Sequence, residues 1–367
     1  VSPPARPGDT VSAIDTPALL LDLDVFEANL DRMAALLDGT GVRLRAHAKT
    51  HKSPVIAHLQ AARGAVGQCV QKVGEAEVLA WGGVSDILVS NEVVGETKLA
   101  RLMALAGICR IAVCCDEPAQ VAALDRAARA AAIRLPVLVE IDVGAGRCGV
   151  APGEAAVRLA VAIADSGNLS FGGVQAYHGG AQHLRAPADR RRAIEGAADG
   201  ARRTLAGLTA AGLACPIVGG GGTGTFLLEA ASGVFTEIQA GSYCFMDSDY
   251  AANADAPPFR QSLHVLATVM SAPVAGRAVL DAGLKALSTD SGPPLVADAP
   301  GWRYVSASDE HGTLRADGPV EGLSVGQRVR LVPSHCDPTV DRHDWYVCVR
   351  AGRVEALWPV AARGAFF

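Results

Sequence analysis

No apolar stretch in the 367 residues reaches the run of about 18 that a membrane span requires. No basic surplus exists either, since 33 Lys and Arg face 38 Asp and Glu for a net charge of −5. The first absence excludes a helical membrane protein. The second excludes a chain built to neutralise a phosphate backbone, so neither membrane nor nucleic acid is an expected partner. Paired cysteines are missing as well: there are nine, an odd number, scattered without any C-x-x-C. A disulfide scaffold is thereby excluded, and a chain this long buries an adequate core without one. Free thiols in a reducing compartment are the expectation, with the cytoplasm as the location. The polar arm from Val1 to Asp15 lacks the apolar core of a signal peptide, and the missing initiator Met suggests processing. With 50% hydrophobic and 19% charged residues, the composition also excludes a disordered, collagen-like or coiled-coil chain.

What the sequence does have is an alternation. Ala18-Leu19-Leu20-Leu21 suits a buried strand, and Val25 to Leu37 carries helical spacing with Asp24 as its expected N-cap. Strands are then predicted to begin near Val42, Val66, Asp86, Arg110, Leu135, Leu169, Pro216 and Val234, with alanine-rich helical stretches such as Pro118 to Ala132 between them. Strands alternating with helices argue for a parallel sheet, and eight of them close a barrel. Beyond about Tyr250 the helical spacing fades, and short β-rich segments are punctuated by Pro and Gly. The fold class expected is therefore α/β, a (β/α)8 TIM-type barrel followed by a second, mostly antiparallel β domain.

Chemistry in such barrels collects at the C-terminal ends of the strands. The first predicted strand runs into Ala46-His47-Ala48-Lys49-Thr50-His51-Lys52, the third into Ser90-Asn91-Glu92, and the fifth into Gly144 to Gly149 around Arg147. The sixth leads to Gln175-Ala176-Tyr177-His178-Gly179, the seventh to the glycine run Gly219 to Thr225, and the eighth to Gln239-Ala240-Gly241-Ser242-Tyr243. The glycine run matches G-x-G-x-x-G trivially, but too short a helix follows for a dinucleotide fingerprint. Its position after strand seven suits a phosphate held by backbone N–H groups, against the alternative of a plain tight turn. Lys49, at a strand end facing the interior, is expected to be desolvated, lowered in pKa and nucleophilic, unless it is simply a surface charge. An amine opposite a phosphate site describes pyridoxal 5′-phosphate (PLP) held as a Schiff base.

A second constellation is Pro333-Ser334-His335-Cys336-Asp337-Pro338-Thr339. On an extended chain, residues two apart share a face, so His335 and Asp337 converge while Cys336 points away. An imidazole with a carboxylate suits a divalent ion, Mn²⁺ before Mg²⁺ or Zn²⁺, unless the two merely hydrogen-bond to each other. The pair His343-Asp344 is read as structural.

The segment 45–52 resembles the PLP-lysine signature of the D-threonine aldolase and D-serine dehydratase family, which is similar in fold to alanine racemase. Further matches follow in order, among them Gln71-Lys72-Val73, Ser90 to Gly95, Gly146 to Val150, Gln175 to Gly179, Met246 to Tyr250, Asp281 to Lys285, Asp309 to Gly312 and Pro333 to Thr339. The resemblance implies that Lys49 carries the cofactor and that Arg147 contacts its phenolic oxygen. It also implies a phosphate held by Gly222, Thr223, Gly224 and Thr225 together with Gly241, Ser242 and Tyr243, and contacts from Tyr177 and Gln239. By the same resemblance residues 23–250 form the PLP-binding barrel, and residues 1–22 with 251–367 form the β domain carrying the metal pair. A homodimer is implied. Within the family the aldolases look like H-x-D and the dehydratases like H-x-C, so Asp337 favours a PLP- and metal-dependent aldolase. It would cleave D-threonine and other D-3-hydroxy amino acids to glycine and an aldehyde, with Lys49 and Arg147 as catalytic candidates and either His183, from its position beyond the sixth strand, or a metal-bound water as the acceptor of the hydroxyl proton. A D-serine-type dehydratase, an amino acid racemase (for whose tyrosine base no motif matches) and a non-catalytic PLP carrier are the rival readings.

Overall fold

The computed structural model of the protein describes residues 2–367; Val1, the first residue of the arm, lies outside them. The apolar run at 18–21 forms β1 (Ala18–Asp22), whose four leading side chains are all buried. Asp22 then turns the chain into the helix Leu23–Leu37 by accepting a hydrogen bond from the N–H of Val25 at 3.1 Å. The cap is thus Asp22 rather than the expected Asp24. The strand ends directly in the helix, and Asp24 instead adds its negative charge to the first turn.

Eight parallel strands follow: β2 (Arg43–His47), β3 (Gly67–Val70), β4 (Asp86–Glu92), β5 (Arg110–Cys115), β6 (Leu135–Glu140), β7 (Leu169–Gln175), β8 (Ile217–Gly220) and β9 (Glu237–Ile238). They close into a barrel, with Arg43 and Leu44 of β2 in register with Glu237 and Ile238 of β9. Helices cover the outside, and those at Pro54–Ala61, Pro118–Ala130 and Pro187–Ala210 open on a proline. There the missing N–H costs nothing, because the first-turn donors have no partner within the helix. Inside the barrel Cys69, Leu88, Cys114 and Leu138 pack together. Its lower end is plugged by Arg45, whose guanidinium donates to Glu237 at 2.7 Å and Asp86 at 2.6 Å. Burial pushes the Cys69 thiol up to about 12, so it stays protonated as a small apolar filler.

Beyond the barrel lie β10 (Leu263–Val274), β11 (Arg277–Leu280), β12 (Leu295–Val296), β13 (Trp302–Ala307), β14 (Gly312–Ala316), β15 (Arg328–Val332), β16 (Trp345–Arg350) and β17 (Arg353–Pro359). They form a second sheet in the order β13-β14-β11-β10-β1-β16-β17, with β15 pairing with β10 and β12. Pairing is antiparallel except between β1 and β16. The architecture is the barrel-plus-antiparallel-sheet arrangement that the alternation predicts, and the first strand of the chain sits at the centre of the second sheet.

Backbone contacts clamp that sheet onto the barrel mouth. Ser248 N–H donates to Pro333 O at 3.0 Å and Asp249 N–H to Ser334 O at 3.3 Å, joining the loop after β9 to the loop after β15. Asp247 caps the short helix Ser248–Ala251 and also accepts from the N–H of Cys336. The Tyr346 hydroxyl donates to His51 O at 2.6 Å. Through these bonds the segment 333–337 faces the end of β2.

Candidate active site

Lys49 follows β2 on the barrel axis and lines a cavity of about 490 Å³ at the mouth. His47, Gln71, Ser90, Arg147, Gln175, Tyr177, His183, Gly222, Thr223, Gln239, Gly241, Ser242 and Tyr250 share its walls. A larger groove of about 770 Å³ between the helices Glu96–Leu105 and Pro118–Ala130 is lined mainly by alanine, leucine and methionine and lies far from this chemistry.

The Lys49 ammonium contacts the Asp337 carboxylate, so the residue after β2 and the residue after β15 meet. Their contact overturns the expected pKa of the lysine. Burial alone would lower it, but the negative charge of Asp337 and the Tyr177 hydroxyl more than reverse that, and Lys49 is held above its ordinary value. The same contact, with His335, holds Asp337 well below the carboxylate range despite its burial. Beside Lys49, the buried His47 is kept neutral by desolvation and by the lysine's charge. Its ring lies 2.9 Å from the Gln71 amide.

One wall is built to receive an anion. Gly222 and Thr223 offer N–H groups that no hydrogen bond among the described residues uses, and the Thr223 hydroxyl is buried without a partner. Across from them, Gly241 leads into the 3₁₀ turn Ser242–Cys244, whose first N–H groups point out of the turn. A side chain would be crowded at both places, against backbone at Gly241 and against the Gln182 side chain at Gly222. A Cβ on Gly241 would lie 2.5 Å from the Thr50 hydroxyl and 2.8 Å from His47 O, and one on Gly222 would lie 2.5 Å from the Gln182 amide oxygen. Donors of this kind with an orphaned hydroxyl fit a phosphate.

The remaining members of the expected phosphate set lie elsewhere. Gly224 N–H donates to Gln182 Oε1 at 3.0 Å, and the Thr225 hydroxyl donates to Glu229 while accepting from Gln182, both at 2.7 Å. These two residues brace the turn from behind. The Tyr243 ring is buried against Phe259, leaving only its backbone to face the anion wall. Gln239 and Gln175 exchange two amide hydrogen bonds of 2.8 and 2.7 Å at the cavity floor. Arg147 reaches the cavity with its guanidinium 5.9 Å over the Tyr177 ring.

His335 and Asp337 do come together, but not on an extended strand. His335 is the N-cap of the helix Cys336–Val340 and Asp337 lies in its first turn, with Nε2 and Oδ2 3.9 Å apart. Asp290 accepts from His335 Nδ1 at 2.7 Å, which orients the ring and leaves Nε2 as a lone-pair donor. Asp337 Oδ1 is buried without a partner. An orphaned carboxylate oxygen beside a free imidazole nitrogen fits a divalent ion. Cys336 is fully buried with its thiol toward Met246 O. His343 donates to or accepts from nothing in the cavity; its Nε2 lies 2.7 Å from Ala286 O, a structural contact.

His183 completes the mouth. Its Nδ1 lies 2.5 Å from Asp249 Oδ2 and its ring stacks 5.6 Å from Tyr250. The sequence reading missed His47, Gln71, Ser90, Gln175 and Tyr250 as site residues, although all but Tyr250 stand at the strand ends where function is expected. For Asp249 and Asp290 no spacing signal exists. Asp290 meets His335 from 45 positions away, through a loop.

Comparisons with known proteins follow this geometry. Residues 21–249 match the family model described as alanine racemase, N-terminal domain, and residues 262–349 match the putative serine dehydratase domain. A D-threonine aldolase of Arthrobacter sp. is 48% identical over 364 residues, 99% of this chain and 96% of that protein. A 3-hydroxy-D-aspartate aldolase of Paracoccus denitrificans is 45% identical over 370 residues, 98% of this chain and 95% of that one. The crystal structure of D-threonine aldolase from Filomicrobium marinum superposes with a TM-score of 0.96 at 49% identity, covering 100% of both chains.

Proposed function

The chain belongs to the D-threonine aldolase and D-serine dehydratase family of alanine racemase-like PLP enzymes, and on that premise we propose that it cleaves D-threonine and other D-3-hydroxy amino acids to glycine and an aldehyde. It is a carbon–carbon lyase. The observation that supports this reading is the contact of Lys49 with Asp337, which brings the proposed cofactor amine beside the proposed metal pair.

In this reading residues 23–250 hold the cofactor, and residues 1–22 with 251–367 bring the metal pair. Lys49 would hold PLP through its aldehyde group, and Gly222, Thr223, Gly241 and Ser242 would hold its phosphate. Gln239, Tyr177 and Arg147 would contact the rest of the cofactor. His335 and Asp337 would hold a divalent ion, Mn²⁺ with Mg²⁺ or Zn²⁺ as alternatives. When bound, the cofactor supplies an electron sink for the pair released from the Cα–Cβ bond, and the ion supplies Lewis acidity. The protein supplies the rest. Asp249 fixes the His183 tautomer with the proton on Nδ1, so Nε2 is the base that takes the proton of the substrate's β-hydroxyl. Arg147, permanently charged, would favour the ionised form of the cofactor's phenolic oxygen.

A dehydratase would use the same cavity to expel the β-hydroxyl. Asp337 at the second ligand position, with the Cys336 thiol turned to Met246 O, favours the aldolase. A PLP carrier has no use for the second sheet and its metal pair. A homodimer is proposed on family grounds, and a cytoplasmic location on the nine free cysteines. No helix among the described residues is long and apolar enough to cross a membrane. The test is D-threonine with PLP and Mn²⁺, scored for acetaldehyde and glycine against 2-oxobutanoate. Lys49→Ala is expected to lose the cofactor absorbance and the activity together. Full activity in that variant, or 2-oxobutanoate as the main product, refutes the reading.

A further inference from the structure

Near Arg147, acidic groups from three strands converge. Glu92 closes β4, Asp116 follows β5, Glu140 closes β6, and Cys148 adjoins the arginine. Polar atoms of Glu92, Asp116 and Cys148 lie within 4.8 Å of one another. Glu140 Oε1 is 3.6 Å from the Arg147 guanidinium. Glu140 is only 4% exposed, and its Oε2 has no partner. Glu92 Oε1 is likewise buried and unpartnered, although the two carboxyls lie within hydrogen-bonding reach. Asp116 offers no relief, because its oxygens already accept from Gly149 N–H at 2.9 Å and the Gln120 amide at 3.0 Å. A buried carboxyl near one guanidinium and within reach of a second carboxyl's buried oxygen is not ionised cheaply together with that neighbour in a low dielectric.

We propose that Glu140 and Glu92 share a single proton, and that this carboxyl pair positions Arg147 and sets how much of its positive charge is felt in the cavity. The proposal rests on the reading of Arg147 as the residue facing the cofactor. One proton bridging the pair satisfies an otherwise orphaned oxygen on each side. It leaves Glu140 Oε1 with the remaining negative charge, which holds the guanidinium without cancelling it twice over. Burial and the neighbouring Glu92 push Glu140 up to about 8, so the pair keeps its proton through neutral pH. The groups facing it from the packed elements are Asp116 after β5, Cys114 within β5, and Cys148 and Arg147 after β6. Burial pushes the Cys148 thiol up to about 11 and Cys114 higher still, so neither thiol competes for that proton at pH 8. Above the pair's transition a second negative charge appears beside Arg147 and draws its field away from the cavity. Glu140 and Glu92 are thus positioning residues, acting through the arginine.

Infrared difference spectra of the holoenzyme between about pH 6 and about pH 10 read the proton directly. The expected result is the C=O stretch of a buried protonated carboxyl, lost with a midpoint near 8 and missing in both Glu140→Gln and Glu92→Gln. The bound cofactor's absorbance is expected to change with the same midpoint in the wild type and not in Glu140→Gln, where kcat falls about 10-fold with KM within about twofold. Glu92→Gln, at a less buried position, serves if Glu140→Gln does not fold. The proposal is overturned if the wild type lacks the band, or if the band survives in both variants. It is also overturned if a divalent ion stays bound in His335→Ala/Asp337→Ala and is lost on adding Glu92→Gln, because a cation would then fill the cluster in place of the proton. The infrared band does not depend on turnover. A titrating band in a protein without aldolase activity keeps the pair and refutes the proposed function, whereas an active enzyme without the band does the reverse.

Discussion

Glu229 offers the sharpest quantitative test of how the glycine turn is built. The residue lies in the helix Phe226–Ala231, 1% exposed, and braces the glycine turn by accepting from the Thr225 hydroxyl at 2.7 Å. Its other oxygen has no partner. Burial therefore pushes its pKa from the ordinary 4.5 to about 7, and the one hydrogen bond from Thr225 only partly offsets this. An acid with a raised folded-state pKa adds stability that is fully present below its unfolded value and is lost as pH rises through the folded value. At about 1.4 kcal/mol per pH unit, the loss between pH 4.5 and the region above 7 comes to about 3 kcal/mol. Glu229→Gln removes this titration while keeping an acceptor for Thr225. Urea unfolding of both proteins across that range is the assay, since every other titrating group cancels in the difference. Relative to the wild type, the variant is expected to gain about 3 kcal/mol between about pH 5 and about pH 8, whatever constant offset its amide introduces. Parallel stability curves over that range would refute the reasoning, and with it the view that this carboxyl is buried with a single partner.

Three further outcomes are expected. Gly241→Ala places a methyl 2.5 Å from the Thr50 hydroxyl and 2.8 Å from His47 O, so the turn must shift. Overpacking of about 1–3 kcal/mol corresponds to PLP binding weakened roughly 10- to 100-fold, read by equilibrium dialysis. Asp337→Asn is expected to leave the cofactor's absorbance in place while metal affinity, measured by titration with Mn²⁺, drops by roughly 100-fold or more. Arg45→Met strands Glu237, which is 1% exposed, with only the half-exposed Arg43 as a partner. A loss of about 3 kcal/mol in denaturant unfolding is expected, and no change would mean that the plug at the foot of the barrel is solvated.

The sequence by itself determined the layers. Period and composition specify eight strand–helix units and a β-rich tail, because a strand buried on both faces must be apolar and a covering helix must be amphipathic. It also located most of the cavity wall, since strand C-termini are the one place where a barrel's polar residues converge. Lys49, Arg147, Tyr177 and Gln239 all stand at such ends. What it could not specify depends on contacts between distant segments. Nothing near Lys49 announces Asp337, 288 positions away, so the raised pKa of the lysine was invisible and local burial pointed the wrong way. His335 and Asp337 share a helix start instead of a strand face, because Asp247 and Ser248 after β9 hold the loop after β15 and turn it there. The proposed proton between Glu92 and Glu140 belongs to the same class, for it depends on the ends of β4 and β6, one strand apart, bringing their carboxyls within reach. Local spacing decided which side chains reach the mouth of the barrel; tertiary contact decided what charge they carry there.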